Sequence, residues 1–120
     1  MVAPNPRMAL SAVSSHALFT FSITTMQINE TAIKQHAWLA EVGWLGKTTP
    51  LEDLALICSE IGEAANECRG EKPTSALGSE LADIVLRTMG LAVKEGIDLE
   101  AEIAAKMKIN FARGTRGRIK

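Results

Sequence analysis

From Asn29 onward the apolar residues recur at helical spacing. Four segments are predicted, at about 29–43, 50–69, 75–95 and 98–112. In the first, Ile33, Ala37 and Ala40 share a face, and Gly43 and Gly46 end it. The second has the strongest start signal. Thr49 is a natural N-cap, Pro50 fits the first helical position, and Glu52 completes a capping box. Leu51, Leu54, Ala55, Cys58, Ile61, Ala65 and Cys68 then form an apolar stripe, with Gly70 as the C′ residue and Pro73 blocking continuation. In the third segment Leu77, Leu81, Ile84, Val85, Thr88, Leu91 and Ala92 lie on one side, and Gly96 closes it. The fourth opens at Asp98, places Ile103, Met107 and Phe111 at i, i+4, i+8, and closes at Gly114. Short turns between helices of this length predict an all-α fold, a four-helix bundle. Only FTFSITT, near residues 19–25, reads ambiguously as a strand.

Residues 1–25 differ in character, with Pro4, Pro6, many serines and no acid. Ser11, Ser14, Ser15 and His16 interrupt the apolar run that would make a signal peptide. The segment reads as a flexible or loosely attached N-terminal extension, followed by a helical domain over 26–113 and a basic tail over 114–120. A chain of 120 residues with 47% hydrophobic content suits one domain. With 13 Lys+Arg against 14 Asp+Glu, the balance argues against a general nucleic-acid binder. No apolar run reaches the roughly 18 residues of a membrane span, so no ordinary transmembrane helix is expected, and the two cysteines read as those of a cytoplasmic protein. Cys58 and Cys68 stand ten residues apart on one helix, about 15 Å, too far for a disulfide within the chain, and read as small buried residues.

The chemistry-bearing feature is a pair of acidic couplets. Glu60 and Glu63 are at i, i+3 on the second helix, with Glu67 a turn further, and Glu80 and Asp83 are at i, i+3 on the third. If the two helices pack antiparallel, four carboxylates converge, and such a cluster suits a hard divalent cation, Mg²⁺ or Mn²⁺. The competing reading is a solvated face, since the acids of the second helix lie roughly opposite its apolar stripe. Lys106, Asn110 and Arg113 share one face of the last helix and are candidates for phosphate oxygens, against the alternative of a basic end complementing the helix dipole. GWLGKT at 43–48 is not a P-loop, because Glu41 stands where glycine is required and a helix precedes it. A di-iron bundle would need Glu-x-x-His couplets, which His16 and His36 do not supply.

Taken together, LALICSEIGEAANECRG, SELADIVLRTMGLAVKEGIDLEAEI and KMKINFARG resemble the MazG-like all-alpha nucleoside triphosphate pyrophosphohydrolases over about residues 29–116. The family pattern E-x-x-E, spacer, E-x-x-D stands here as Glu60–Glu63 and Glu80–Asp83, and K-x-x-x-N-x-x-R as Lys106, Asn110 and Arg113. The resemblance implies a MazG-type fold assembled as a homodimer or homotetramer, with sites completed by neighbouring subunits. It implies hydrolysis of a (d)NTP to (d)NMP and pyrophosphate. Glu60, Glu63, Glu80 and Asp83 would hold Mg²⁺ or Mn²⁺, and Glu63 or Glu60 would orient or deprotonate the attacking water. Lys106 and Arg113 would bind phosphate, and Asn110 phosphate or sugar. Trp44, Trp38, His36 and Gln35 are the candidates for contacting the base, Trp38 reading first as core and Trp44 as a stacking surface. The compact domain suits the phage-encoded MazZ-type subgroup, which prefers dGTP and would act in the host cytoplasm. The rival activities are phosphoribosyl-ATP pyrophosphohydrolysis in the same superfamily and a non-catalytic helical oligomerisation module.

Overall fold

The computed structural model describes residues 27–114. The extension 1–25 with its FTFSITT segment, and the basic tail beyond Gly114, lie outside the described residues. Within them the fold is all-helical: α1 (Ile28–Glu41), α2 (Pro50–Asn66), α3 (Leu77–Lys94) and α4 (Leu99–Arg113), with no strand among the described residues. No helix among them is long and apolar enough to cross a membrane.

The helix ends follow from local chemistry. The Thr49 hydroxyl accepts from Glu52 N at 3.2 Å and the Glu52 carboxylate accepts from Thr49 N at 2.7 Å, the complete capping box. Asp98 caps α4 by accepting from Ala101 N at 3.0 Å. α1 and α3 each end in a Schellman motif. Trp44 N donates to Leu39 O and Gly43 N to Ala40 O, while Ile97 N donates to Ala92 O and Gly96 N to Val93 O. Both need a left-handed residue, supplied by Gly43 (φ 74°) and Gly96 (φ 65°). Gly70 does not end α2. The helix stops at Asn66, because Glu67 accepts from Thr74 through both its carbonyl and its carboxylate and closes the following turn.

α2 and α3 form an antiparallel hairpin, α1 packs on α3, and α4 makes its main contact with α1. The starts of α1 and α4 cap one another: Glu100 accepts from Ile28 N at 2.8 Å, and Asn29 accepts from Glu100 N at 3.1 Å. Asn29 also donates to Asp98 at 2.7 Å. Two positive helix ends are thereby neutralised by acids of α4.

On α1 and α2 the packing reverses the expected faces, while on α3 Leu77, Ile84, Thr88, Leu91 and Ala92 turn inward as expected. On α2 the side turned to α3 carries Asp53, Ile57, Glu60, Ala64 and Glu67. The apolar stripe is outside: Leu51 is 76% exposed and Leu54 and Ile61 are each 50% exposed, whereas the Glu60 side chain is 13% exposed. Cys58 and Cys68 are exposed as well, correcting the expectation that they are buried. On α3 Leu81 and Val85 are exposed, and on α1 Ile33 is exposed while Ala32 is buried. In α4 Ile103 and Met107 are half-buried but Phe111 is exposed. Among the described residues of the single chain, burial is confined to small or slender residues, Ala32, Ala64, Met89 and Ala92. Helical periodicity shows that an apolar face exists; which neighbour covers it is a separate question.

Candidate active site

The hairpin brings together most of the acidic couplets. Glu60, Glu63 and Glu80 each offer a carboxylate oxygen, and these oxygens lie within 4.8 Å of one another. The i, i+3 spacing puts Glu60 and Glu63 on adjoining positions of α2, and the antiparallel register sets them against the first turns of α3. Asp83 is exposed and lines the neighbouring cavity.

Burial differs across the cluster. Glu80 is half-buried, and its Oε2 has no hydrogen-bond partner among the described residues. Loss of water raises the Glu80 carboxyl above its ordinary value, and the nearby charges of Glu63, Asp83 and Glu60 add to the effect. Glu60 is relieved by Arg87, whose Nε donates to Glu60 Oε1 at 2.6 Å. Glu63 is the exposed member.

Beside the cluster is an open cavity of about 630 Å³, within the usual range for small-molecule sites. Glu60, Asp83 and Arg87 line one part of it; Gln35, His36, Trp38 and Trp44 line another. The Schellman turn at Gly43 folds the chain back so that Trp44 meets Trp38 edge to face, with centroids 5.6 Å apart and planes at 75°. Trp38 is 50% exposed on this wall, so it is not core, and Trp44 is 71% exposed. His36 Nδ1 is buried without a partner among the described residues. All four candidate base-contacting residues therefore share one cavity with two of the acids.

Lys94 locks the far end. Its ammonium donates to Thr48 O at 2.9 Å, Thr48 Oγ1 at 2.7 Å and Asp53 Oδ2 at 2.7 Å. The loop after Trp44 is thus fastened to the end of α3 and the start of α2. Hydrogen bonds from Lys94 and Thr48 hold the Asp53 carboxyl below its ordinary value, against the opposing effect of burial. Neither Lys94 nor Arg87 is among the site residues expected from the sequence. Arg87 is at i+4 from Asp83 and i+7 from Glu80, which is the signal that places it on the acid face.

The remaining candidates are elsewhere. Lys106, Asn110 and Arg113 are exposed on α4 and do not line the cavity. Comparison with protein-family models, curated proteins and solved structures matches this chain to none of them.

Proposed function

We propose that the chain is a divalent-cation-dependent hydrolase that cleaves a nucleoside triphosphate between the α- and β-phosphates, giving (d)NMP and pyrophosphate, in the manner of the MazG-like enzymes its sequence resembles. The observation that carries this reading is the convergence of Glu60, Glu63 and Glu80 beside a cavity that also holds the tryptophan pair. Oxygen donors alone, with one buried oxygen left unpartnered on Glu80, fit Mg²⁺ or Mn²⁺ better than a softer ion.

In this reading Glu60, Glu63 and Glu80 hold the cation, with Asp83 as a further ligand. A cation bound there would polarise the phosphoryl oxygens and lower the pKa of the attacking water. Glu63, the most accessible of the converging acids, orients that water and takes its proton. Trp44 and Trp38 offer ring surface to the base, and His36 and Gln35 offer hydrogen bonds that select it. The low-polarity wall and fixed carboxylates pre-organise charge where the displacement occurs.

The exposed apolar stripe on α2, with Leu81 and Val85 on α3, favours self-association as a homodimer or homotetramer. Assembly would also give Lys106, Asn110 and Arg113 a route to the site, from a neighbouring copy. Guanine is the proposed base and dGTP the proposed preferred substrate.

The test is a panel of eight (d)NTPs with Mg²⁺ or Mn²⁺ and separate readouts for pyrophosphate and orthophosphate. Cation-dependent pyrophosphate release is expected, with a guanine nucleotide fastest. Glu63→Gln and Asp83→Asn should each lose about a hundredfold or more in turnover with helical circular dichroism retained. Near-normal pyrophosphate release by either variant defeats its role, orthophosphate release defeats the reaction type, and a flat profile removes the guanine assignment.

A further inference from the structure

The two cations on the cavity wall differ in how many of their donors are spent. Lys94 has three N–H groups and three acceptors, Thr48 O, Thr48 Oγ1 and Asp53 Oδ2, so it is saturated. Arg87 has five N–H groups and donates one, from Nε to Glu60 Oε1. Among the described residues its two terminal amino groups donate to nothing. The side chain is 44% exposed and lines the cavity along with Glu60 and Asp83. Its bond to Glu60 is therefore single-pointed, and the edge of the guanidinium that suits a bidentate phosphate contact is open.

Glu60 is claimed twice. It is the counter-ion of Arg87 and also one of the three acids whose oxygens converge within 4.8 Å. A carboxylate that serves a divalent cation holds a guanidinium less strongly. A guanidinium released there stands on the cavity wall beside Glu60 and Asp83.

We infer that Arg87 exchanges partners: it neutralises Glu60 in the ligand-free chain, and binds phosphate oxygens of the substrate through its terminal amino groups when Glu60 is committed to a cation. This inference rests on the hydrolase reading above. It makes cation and nucleotide binding mutually reinforcing, because each relieves the cost of breaking the Arg87–Glu60 pair. It also assigns the phosphate-binding role within one chain to α3, independently of Lys106 and Arg113 on α4.

The test is calorimetry on the full chain with Mn²⁺ alone, then with a non-hydrolysable dNTP analogue in the presence of Mn²⁺. Arg87→Ala should bind Mn²⁺ alone about fivefold more tightly than the wild type, because Glu60 loses its competitor, and should bind the nucleotide about tenfold more weakly. KM should rise by a larger factor than kcat falls. Arg87→Lys keeps a cation beside Glu60, so its Mn²⁺ affinity should stay near wild type while nucleotide affinity is intermediate. Unchanged Mn²⁺ affinity or unchanged nucleotide affinity in Arg87→Ala overturns the partner exchange while leaving the hydrolase reading intact. Failure of the wild type to bind Mn²⁺ overturns both. Arg87→Lys provides the same comparison if the alanine variant loses helical circular dichroism: Mn²⁺ affinity far from wild type, or nucleotide affinity equal to it, overturns the inference.

Discussion

Lys94 in the last turn of α3 and Asp53 in the first turn of α2 form an ion pair at 2.7 Å that clasps the open end of the hairpin, away from its turn. Thr48 sits between them, bonded to both. Lys94→Met should cost about 1–2 kcal/mol of stability and speed hydrogen exchange in residues 44–49. The pair also has a pH signature. Asp53 titrates below its ordinary 3.8 in the fold, so its contribution is complete above the unfolded-state value and is lost as pH falls through the folded one. Acid melts should show a smaller loss in Lys94→Met than in the wild type, since Thr48 still bonds Asp53 in the variant; identical acid profiles would dismiss the pair as a stabiliser.

Glu80 carries the opposite sign. Its carboxyl is raised by loss of water and by Glu63, Asp83 and Glu60, so its contribution is greatest below the unfolded-state value and is lost as pH rises through the folded one. Ionising Glu80 therefore costs the cation-free protein stability. Glu80→Gln should raise the Tm at pH 7 and abolish any Tm increase produced by Mn²⁺. A lower Tm at pH 7 in the variant would show that the carboxylate is well satisfied.

Asn29 is the hinge of the reciprocal caps that join α1 to α4. Asn29→Ala leaves Glu100 N without its acceptor and should cost about 1 kcal/mol. Proton exchange at Glu100 N should accelerate, while the cap at Thr49 stays protected. Equal acceleration at both sites would point to global unfolding and not to the loss of one contact.

The outward stripe on α2 predicts assembly. Sedimentation of the wild type should give a multiple of the 12.9 kDa chain mass. Leu54→Glu, placed at the half-exposed centre of the stripe, should shift that multiple toward the monomer and lower turnover. A wild type that sediments as a monomer at working concentration would remove the oligomer from the functional reading.

Helix starts were the most legible part of the sequence, because caps are local: Thr49, Pro50 and Glu52 act within four residues, as do Asp98 and Ala101. The meeting of Glu60, Glu63 and Glu80 was legible for a related reason, since i, i+3 spacing fixes two acids on each helix and a short connection brings the helices together. The Lys94–Asp53 pair was not, because it joins residues 41 apart whose meeting depends on the register of the two packed helices. The direction of each apolar face was also hidden. The stripe from Leu51 to Cys68 has the spacing of a core face, yet α3 packs against the side bearing Asp53, Ile57 and Glu60, where Lys94 and Arg87 satisfy the acids. The placement of Lys106, Asn110 and Arg113 away from the cavity has the same origin: α4 is anchored by Asn29 and Glu100 to α1, a contact across about seventy residues.

Trp38 and Trp44 are the chain's two tryptophans, and they touch. Every photon of indole emission therefore originates on one cavity wall, within reach of whatever enters it. A guanine settling against either ring would quench that light directly, so occupancy could be followed in unlabelled protein, in real time, without waiting for a product.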